Sequence, residues 1–284
     1  MAFTRAYEEH EVGPELRRIY ADIRTSLDLP FVPTLFKVLA AQPEYLRALW
    51  SDLGNAARSR EFSAASTALE EFCHSEAVSG GWRFSDQRKQ LAGERFSASD
   101  AEVLASVVSV FARALPQMTL LARLIQLGYS GGQRGRVVAA RQAAALARLI
   151  TINIPNEREA SMRAWLIYAD IKRTSGAKNV ISAFRVLSPY PGYLASVWFD
   201  AKKIIRDASF THAKEEVARR SRALLNGLPV GDHRQATKKI SAKDWREIEE
   251  TVDGFVRQLP QFALLTAIWQ RSFPASLTRL RAAA

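Results

Sequence analysis

The sequence holds a single cysteine, Cys73, in 284 residues, so neither an intrachain disulfide nor a CxxC redox pair can form within it. It has no apolar run of the roughly 18 residues that a membrane span requires, and none is expected. The N-terminal MAFTRAYEEHEVGPELRR lacks the apolar core of a signal peptide, so a cytoplasmic location is expected. His10, His74, His212 and His233 share no ligand spacing, which argues against a metal site. No segment alternates apolar and polar residues over a useful length. The chain therefore reads as all-α.

Charge of one sign is in excess: the net charge is +11. Such a balance can mean nucleic acid or anionic ligands. The basic residues are mostly arginines scattered among acidic ones, densest from Arg134 to Arg148. No nucleic-acid motif accompanies them, which favours a solvated helix face and no nucleic-acid partner.

What the sequence does have is a copy of itself. Residues 19–52 and 167–200 align without a gap at an offset of 148, with 14 of 34 positions identical. Residues 96–126 and 240–270 align at an offset of 144, with 12 of 31 identical. A period this long is a duplicated domain rather than a solenoid repeat. The expected organisation is a first helical repeat over 1–130, a linker with a helix over 131–159, and a second repeat over 160–284. The copies would form an intramolecular pseudo-dimer, and a cleft between them is the first place to seek function.

The helix signals are local. Pro14, Pro43 and Pro191 sit where a helix would begin, each followed by apolar residues at helical spacing. Ser97-x-x-Asp100 and Ser241-x-x-Asp244 have the form of N-caps with an acidic residue in the first turn. The long helices they open carry Pro116 and Pro260, which predict a kink or break in each.

Four features offer chemistry. Cys73 and His74 adjoin Glu70 and Glu71, but neighbours on a helix point about 100° apart, so the thiol and imidazole do not face each other. Glu70 and Glu71 lie within reach of His74 at helical spacing. This favours a buried structural cysteine. Arg113-x-Leu115-Pro116-Gln117 recurs as Arg257-x-Leu259-Pro260-Gln261, where Arg and Gln could cap freed carbonyls or hold a carboxylate. The copies diverge most in one window. Leu29-Pro30-Phe31-Val32-Pro33-Thr34 in the first stands against Ala177-Lys178-Asn179-Val180-Ile181-Ser182 in the second. If both windows meet near an axis, the first, with Thr34 at its end, gives an aromatic wall through Phe31, while Lys178, Asn179 and Ser182 give a cation, an amide and a hydroxyl.

The stretch IYADIRTSLDLPFVPTLFKVLAAQPEYLRALW, its second copy and the LPQ helices resemble the group I 2-haloacid dehalogenases, the DehI-like family, over nearly the whole chain. A more distant likeness to AhpD-like helical proteins lacks their CxxC. The DehI-like resemblance implies an all-α pseudo-dimer without a cofactor, in which an aspartate activates water to displace halide directly. That aspartate follows a serine; here Ser182 is followed by Ala183. The resemblance also implies an asparagine just before the proline of the first-copy helix, where this chain has Leu115. Phe31 and Ser182 are kept.

The residues thus suggest a diverged enzyme that binds a small carboxylate or an apolar metabolite between the repeats, through Phe31, Thr34, Lys178, Asn179, Ser182, Ala183, Leu115, Arg113 and Arg257. An active 2-haloacid dehalogenase using another carboxylate, such as Asp28 or Asp170, is one alternative. A non-catalytic binding or interaction protein is the other. A homodimer is a plausible assembly.

Overall fold

A computed structural model describes residues 5–94, 96–129, 152–230 and 240–273. The expected linker helix near 136–150, the Arg134–Arg148 stretch and His233 lie outside them. Among the described residues the fold is all-α, with no β-strand.

The first repeat contributes α1 (Pro14–Leu27), α2 (Thr34–Leu39), α3 (Pro43–Ala57), α4 (Arg60–Ser79), α5 (Gln87–Gly93) and α6 (Ala98–Gln126). The second contributes α7 (Met162–Ser175), α8 (Ser182–Arg185), α9 (Pro191–Ile205), α10 (Ala208–Ala223) and α11 (Ala242–Arg271). Local chemistry sets the boundaries. Proline occupies the first turn of α1, α3 and α9. The Ser97 hydroxyl accepts from Asp100 N–H at 3.1 Å, and Asp100 Oδ2 accepts from Ser97 N–H at 3.0 Å, closing a capping box. Ser241 also caps α11, its hydroxyl accepting from Asp244 N–H at 3.1 Å. The residue after α1, Asp28, is left-handed at φ 50°, and its repeat counterpart after α7 is Gly176 at φ 68°. The second copy thus uses glycine where the first holds a strained non-glycine residue.

Packing recurs with the sequence. Trp50 Nε1 donates to Asp22 Oδ2 at 2.7 Å, and Trp198 Nε1 to Asp170 Oδ2 at 2.7 Å. The Phe36 and Trp50 rings meet edge-on at 5.4 Å and 81°; Phe184 and Trp198 meet at 5.5 Å and 82°.

The core is built on α6 and α11, the most extensively packed pair of helices. They run antiparallel, as two hydrogen bonds reveal. Gln126 donates to Asp253 at 2.7 Å, and Gln270 donates to Ser109 at 2.9 Å. At the repeat offset of 144, Gln126 corresponds to Gln270 and Ser109 to Asp253. The two bonds are one contact made twice with the helices exchanged. The Ser99–Gln126 stretch of α6 is long and apolar enough to cross a membrane by composition, yet its most apolar window is 78% buried inside the protein.

The expected breaks at Pro116 and Pro260 do not occur: both helices continue through their prolines. Each proline forfeits one backbone hydrogen bond at a cost of about 3 kcal/mol. Both lie in stretches that are buried without interruption, from Ala114 to Ala122 and from Leu259 to Gln270. Each buried leucine or phenylalanine there contributes about 1.5–3 kcal/mol, so packing outweighs the missing bond.

Candidate functional site

α2 and α8 begin at equivalent points of the repeat, and their first residues meet. Thr34 Oγ1 and Ser182 Oγ are 3.1 Å apart, and both residues are buried. Beside them lies a cavity of ≈ 40 Å³.

The wall is assembled largely from repeat counterparts. Phe111 and Phe255, and Leu115 and Leu259, come from α6 and α11; Pro33 and Ile181 precede the two short helices. Two counterpart pairs break the symmetry. Phe31 faces the cavity in one copy and Asn179 in the other. Leu35 stands opposite Ala183, and the smaller side chain leaves room on the second-copy side. Phe31 also packs against Phe111, the rings tilted by 36° with centroids 5.0 Å apart. Among the described residues, the polar side chains in the lining are those of Thr34, Ser182 and Asn179, and none that lines it is ionisable.

Of the residues singled out in the sequence, Phe31, Thr34, Leu115, Asn179, Ser182 and Ala183 come together here. Lys178 does not. It is exposed and lines an outer polar cleft of ≈ 550 Å³, which Asn179 also reaches. Arg113 and Arg257 do not line the cavity either. Arg113 donates to the Asp28 carbonyl at 2.7 Å and lies 3.1 Å from its carboxylate, fastening the end of α1 rather than capping a broken helix. Arg257 is exposed, and its neighbour Gln258 does the corresponding work, donating to Gly176 O at 3.2 Å. Phe111, Met118 and Phe255 line the cavity but were not singled out. The available signal was that Phe111 and Phe255 are identical in the repeat, one turn before Leu115 and Leu259.

One turn beyond Thr34 and Ser182 lies a buried charge cluster. Lys37 on α2 and Arg185 on α8 are repeat counterparts, 7% and 2% exposed. Glu8 pairs with both, with Arg185 at 3.5 Å. Burial pushes the Lys37 ammonium pKa down, against the pull of Glu8. Arg185 Nε also donates to Pro155 O at 3.0 Å.

The other candidate groups serve structure. Cys73 is fully enclosed, and burial pushes its thiol pKa well up, which suppresses the reactive thiolate. His74 Nε2 stands 4.0 Å from Glu70 Oε1 on the same helix. Asp170 is held below the usual carboxylate range, at about 2, chiefly by Lys202, with further help from Trp198 and Arg173. Neither Asp170 nor Asp28 lines the cavity.

Known proteins share both sequence and shape with this chain. An (R)-2-haloacid dehalogenase of Pseudomonas putida is 23% identical over 235 residues, covering 81% of this chain and 78% of that protein. One from Rhizobium sp. (strain NHG3) is 21% identical over 229 residues, covering 79% and 88%. Two solved structures share the fold. A D-2-haloacid dehalogenase described in complex with L-LA has a TM-score of 0.83 at 22% identity, over 96% of this chain and 97% of that one. A D-2-haloacid dehalogenase mutant described in complex with D-2-CPA has a TM-score of 0.81 at 21% identity, over 95% and 96%. The family model for DehI, described as halocarboxylic acid dehydrogenase, matches residues 30–184, more than half of the sequence, and the chain belongs to this DehI family.

Proposed function

We propose that this protein binds a small, largely apolar organic molecule in the cavity between its two repeats, and that it does not hydrolyse 2-haloacids at a useful rate. The repeats, in this reading, form an intramolecular pseudo-dimer whose twofold axis passes between Thr34 and Ser182. The exchanged contacts of Gln126 with Asp253 and Gln270 with Ser109 support that arrangement.

The observation that carries the proposal is the lining itself. Hydrolytic displacement of halide needs a base to take a proton from water as the carbon–oxygen bond forms. Ala183 and Leu115 can neither accept that proton nor orient the water. General-base help is worth typically about 10²–10⁴-fold in rate. A replacement carboxylate would have to reach the cavity, and Asp28 and Asp170 are engaged elsewhere, by Arg113 and by Lys202 and Trp198. Any reaction in this site would rest on positioning and on hydrogen bonds from Thr34, Ser182 and Asn179. Fold inheritance alone does not carry the relatives' chemistry over.

The test is a halide-release assay with both enantiomers of 2-chloropropionate, run on the parent protein and on Ala183→Asp. No release by the parent is expected. Turnover appearing only in Ala183→Asp would support a kept cavity with an exchanged centre. Robust release by the parent would overturn the proposal.

A further inference from the structure

We propose that the outer cleft is a second ligand site, separate from the cavity, and that it takes an anion carried on a flat aromatic ring. Among the described residues Asn179 alone lines both spaces. At ≈ 550 Å³ the cleft has the size of an ordinary small-molecule site.

The two repeats differ at this place. α1 and α7 begin and end 148 positions apart, and the ion pair of Arg24 with Glu9 recurs as that of Lys172 with Glu157. In the first copy Arg17 ties down the segment before its helix. Its Nε donates to the carbonyls of Glu9 at 3.0 Å and Val12 at 2.9 Å, and its Nη2 to the carbonyl of His10 at 3.3 Å. The counterpart of Arg17 is Trp165. Among the described residues the indole makes no such bond; it is 55% exposed and lines the cleft. Ala169 and Lys172 continue its stripe along α7, so a flat apolar face adjoins a charged one.

Positive charge is in excess around that face. Arg5, Arg158, Lys172, Lys178 and Arg185 line the cleft against Glu11 and Glu157. Arg5 is paired with Glu11 and Lys172 with Glu157. Arg185, almost wholly buried, shares Glu8 with Lys37. Arg158 and Lys178 form no ion pair among the described residues, although Lys178 also borders a groove that holds Glu250. A carboxylate or phosphate would therefore meet two cations without displacing a partner. A neutral ring would cover the indole and leave those cations unused. An anion without a ring would gain only exposed ion pairs, which are individually weak in water. An aromatic anion uses both features, stacking on Trp165 while its charge faces Arg158 and Lys178.

Three probes of one ring shape test this: 2-naphthoate, 2-naphthyl phosphate and the neutral 2-naphthamide. Each is titrated by NMR against the intact protein and read from the indole N–H signal of Trp165, which Trp165→Phe identifies. At least one anion should shift that signal saturably and bind at least about fivefold more tightly than the amide, with the preference shrinking as salt rises. The tighter of the two names the anion as carboxylate or phosphate. Arg158→Gln and Lys178→Gln should each weaken it about two- to fivefold, the scale of an exposed ion pair. Lys243→Gln, at an exposed lysine outside the cleft, should not. Trp165→Ala should weaken it about three- to tenfold. Binding of the amide as tight as that of both anions, an equal loss in Lys243→Gln, or no saturable shift with millimolar probe would overturn the proposal. So would self-association that covers Trp165, seen by sedimentation and abolished by Trp165→Glu, since the face would then belong to a second copy. Each of these outcomes leaves the role of the cavity untouched.

Discussion

Thr34 and Ser182 are 148 residues apart in sequence and 3.1 Å apart through their hydroxyl oxygens. They occupy the same position of the repeat, so each copy supplies one hydroxyl to a bond at the junction of the two. Both the cavity and the buried charge cluster are organised around this junction.

The charge cluster should be a sensitive point of stability. Glu8 is the carboxylate that Lys37 and Arg185 both face. Glu8→Gln would remove the carboxylate that both buried cations face. Loss of one partner from a buried ion pair typically costs about 3–5 kcal/mol. We expect a fall of that order in urea unfolding free energy, and a much smaller fall when Glu8→Gln is combined with Lys37→Met. An unfolding free energy within 1 kcal/mol of the parent for the single variant, by the same order-of-magnitude reasoning, would refute the role.

Asp170 should give the protein an acid-sensitive contribution. Its pKa is depressed to about 2 in the fold, first by Lys202. A carboxyl group with a folded pKa below its unfolded value adds stability above the unfolded pKa, near 4, and that contribution is lost as pH falls through about 2. Its size is about 1–2 kcal/mol after allowing for solvent screening. Asp170→Asn should therefore lower stability at pH 6 and flatten its slope between about pH 4 and pH 2, read from thermal unfolding. An unchanged slope would contradict this assignment.

Cys73 should be inert while the protein is folded. The buried thiol with its raised pKa offers little thiolate to a reagent. Reaction with a chromogenic disulfide reagent should be negligible under native conditions and complete in denaturant. Cys73→Ala should leave ligand binding or any activity within a few-fold of the parent. Stoichiometric labelling of native protein within seconds would show that the thiol is open.

The room in the cavity should depend on Ala183. Its repeat counterpart is Leu35, so leucine is the size the first copy already accommodates at this position. Ala183→Leu should fill the cavity and abolish ligand binding. Its stability should stay within about 1–2 kcal/mol of the parent, since filling and overpacking oppose each other. Undiminished ligand affinity in a folded Ala183→Leu protein would place the ligand elsewhere.

The amino-acid sequence alone determined the all-α character, the starts of α1, α3, α6, α9 and α11, and the recurrence of the pattern at a fixed offset. Those features are set by neighbours in the chain: proline in a first turn, serine three residues before an acidic cap, apolar residues at helical spacing, and a repeat visible at a fixed offset. It also marked the divergent window and the Ala183 position, because comparison of the copies and the DehI-like resemblance both act on the linear order. Tertiary structure decided what the local signals could not. Pro116 and Pro260 are helix breakers by local rule, yet both sit inside continuous helices because burial on either side outweighs one lost hydrogen bond. Lys178 and Asn179 are adjacent in sequence, but only Asn179 reaches the cavity, while the lysine points to the outer cleft where its charge stays hydrated. Arg113 looked like a ligand for a small anion and instead holds Asp28, since the folded chain brings the end of α1 against α6. Glu8 carried no motif at all. Its pairing with Lys37 and Arg185 exists only because α2 and α8 meet and the N-terminal segment packs against them, where low polarity makes each unpaired charge costly.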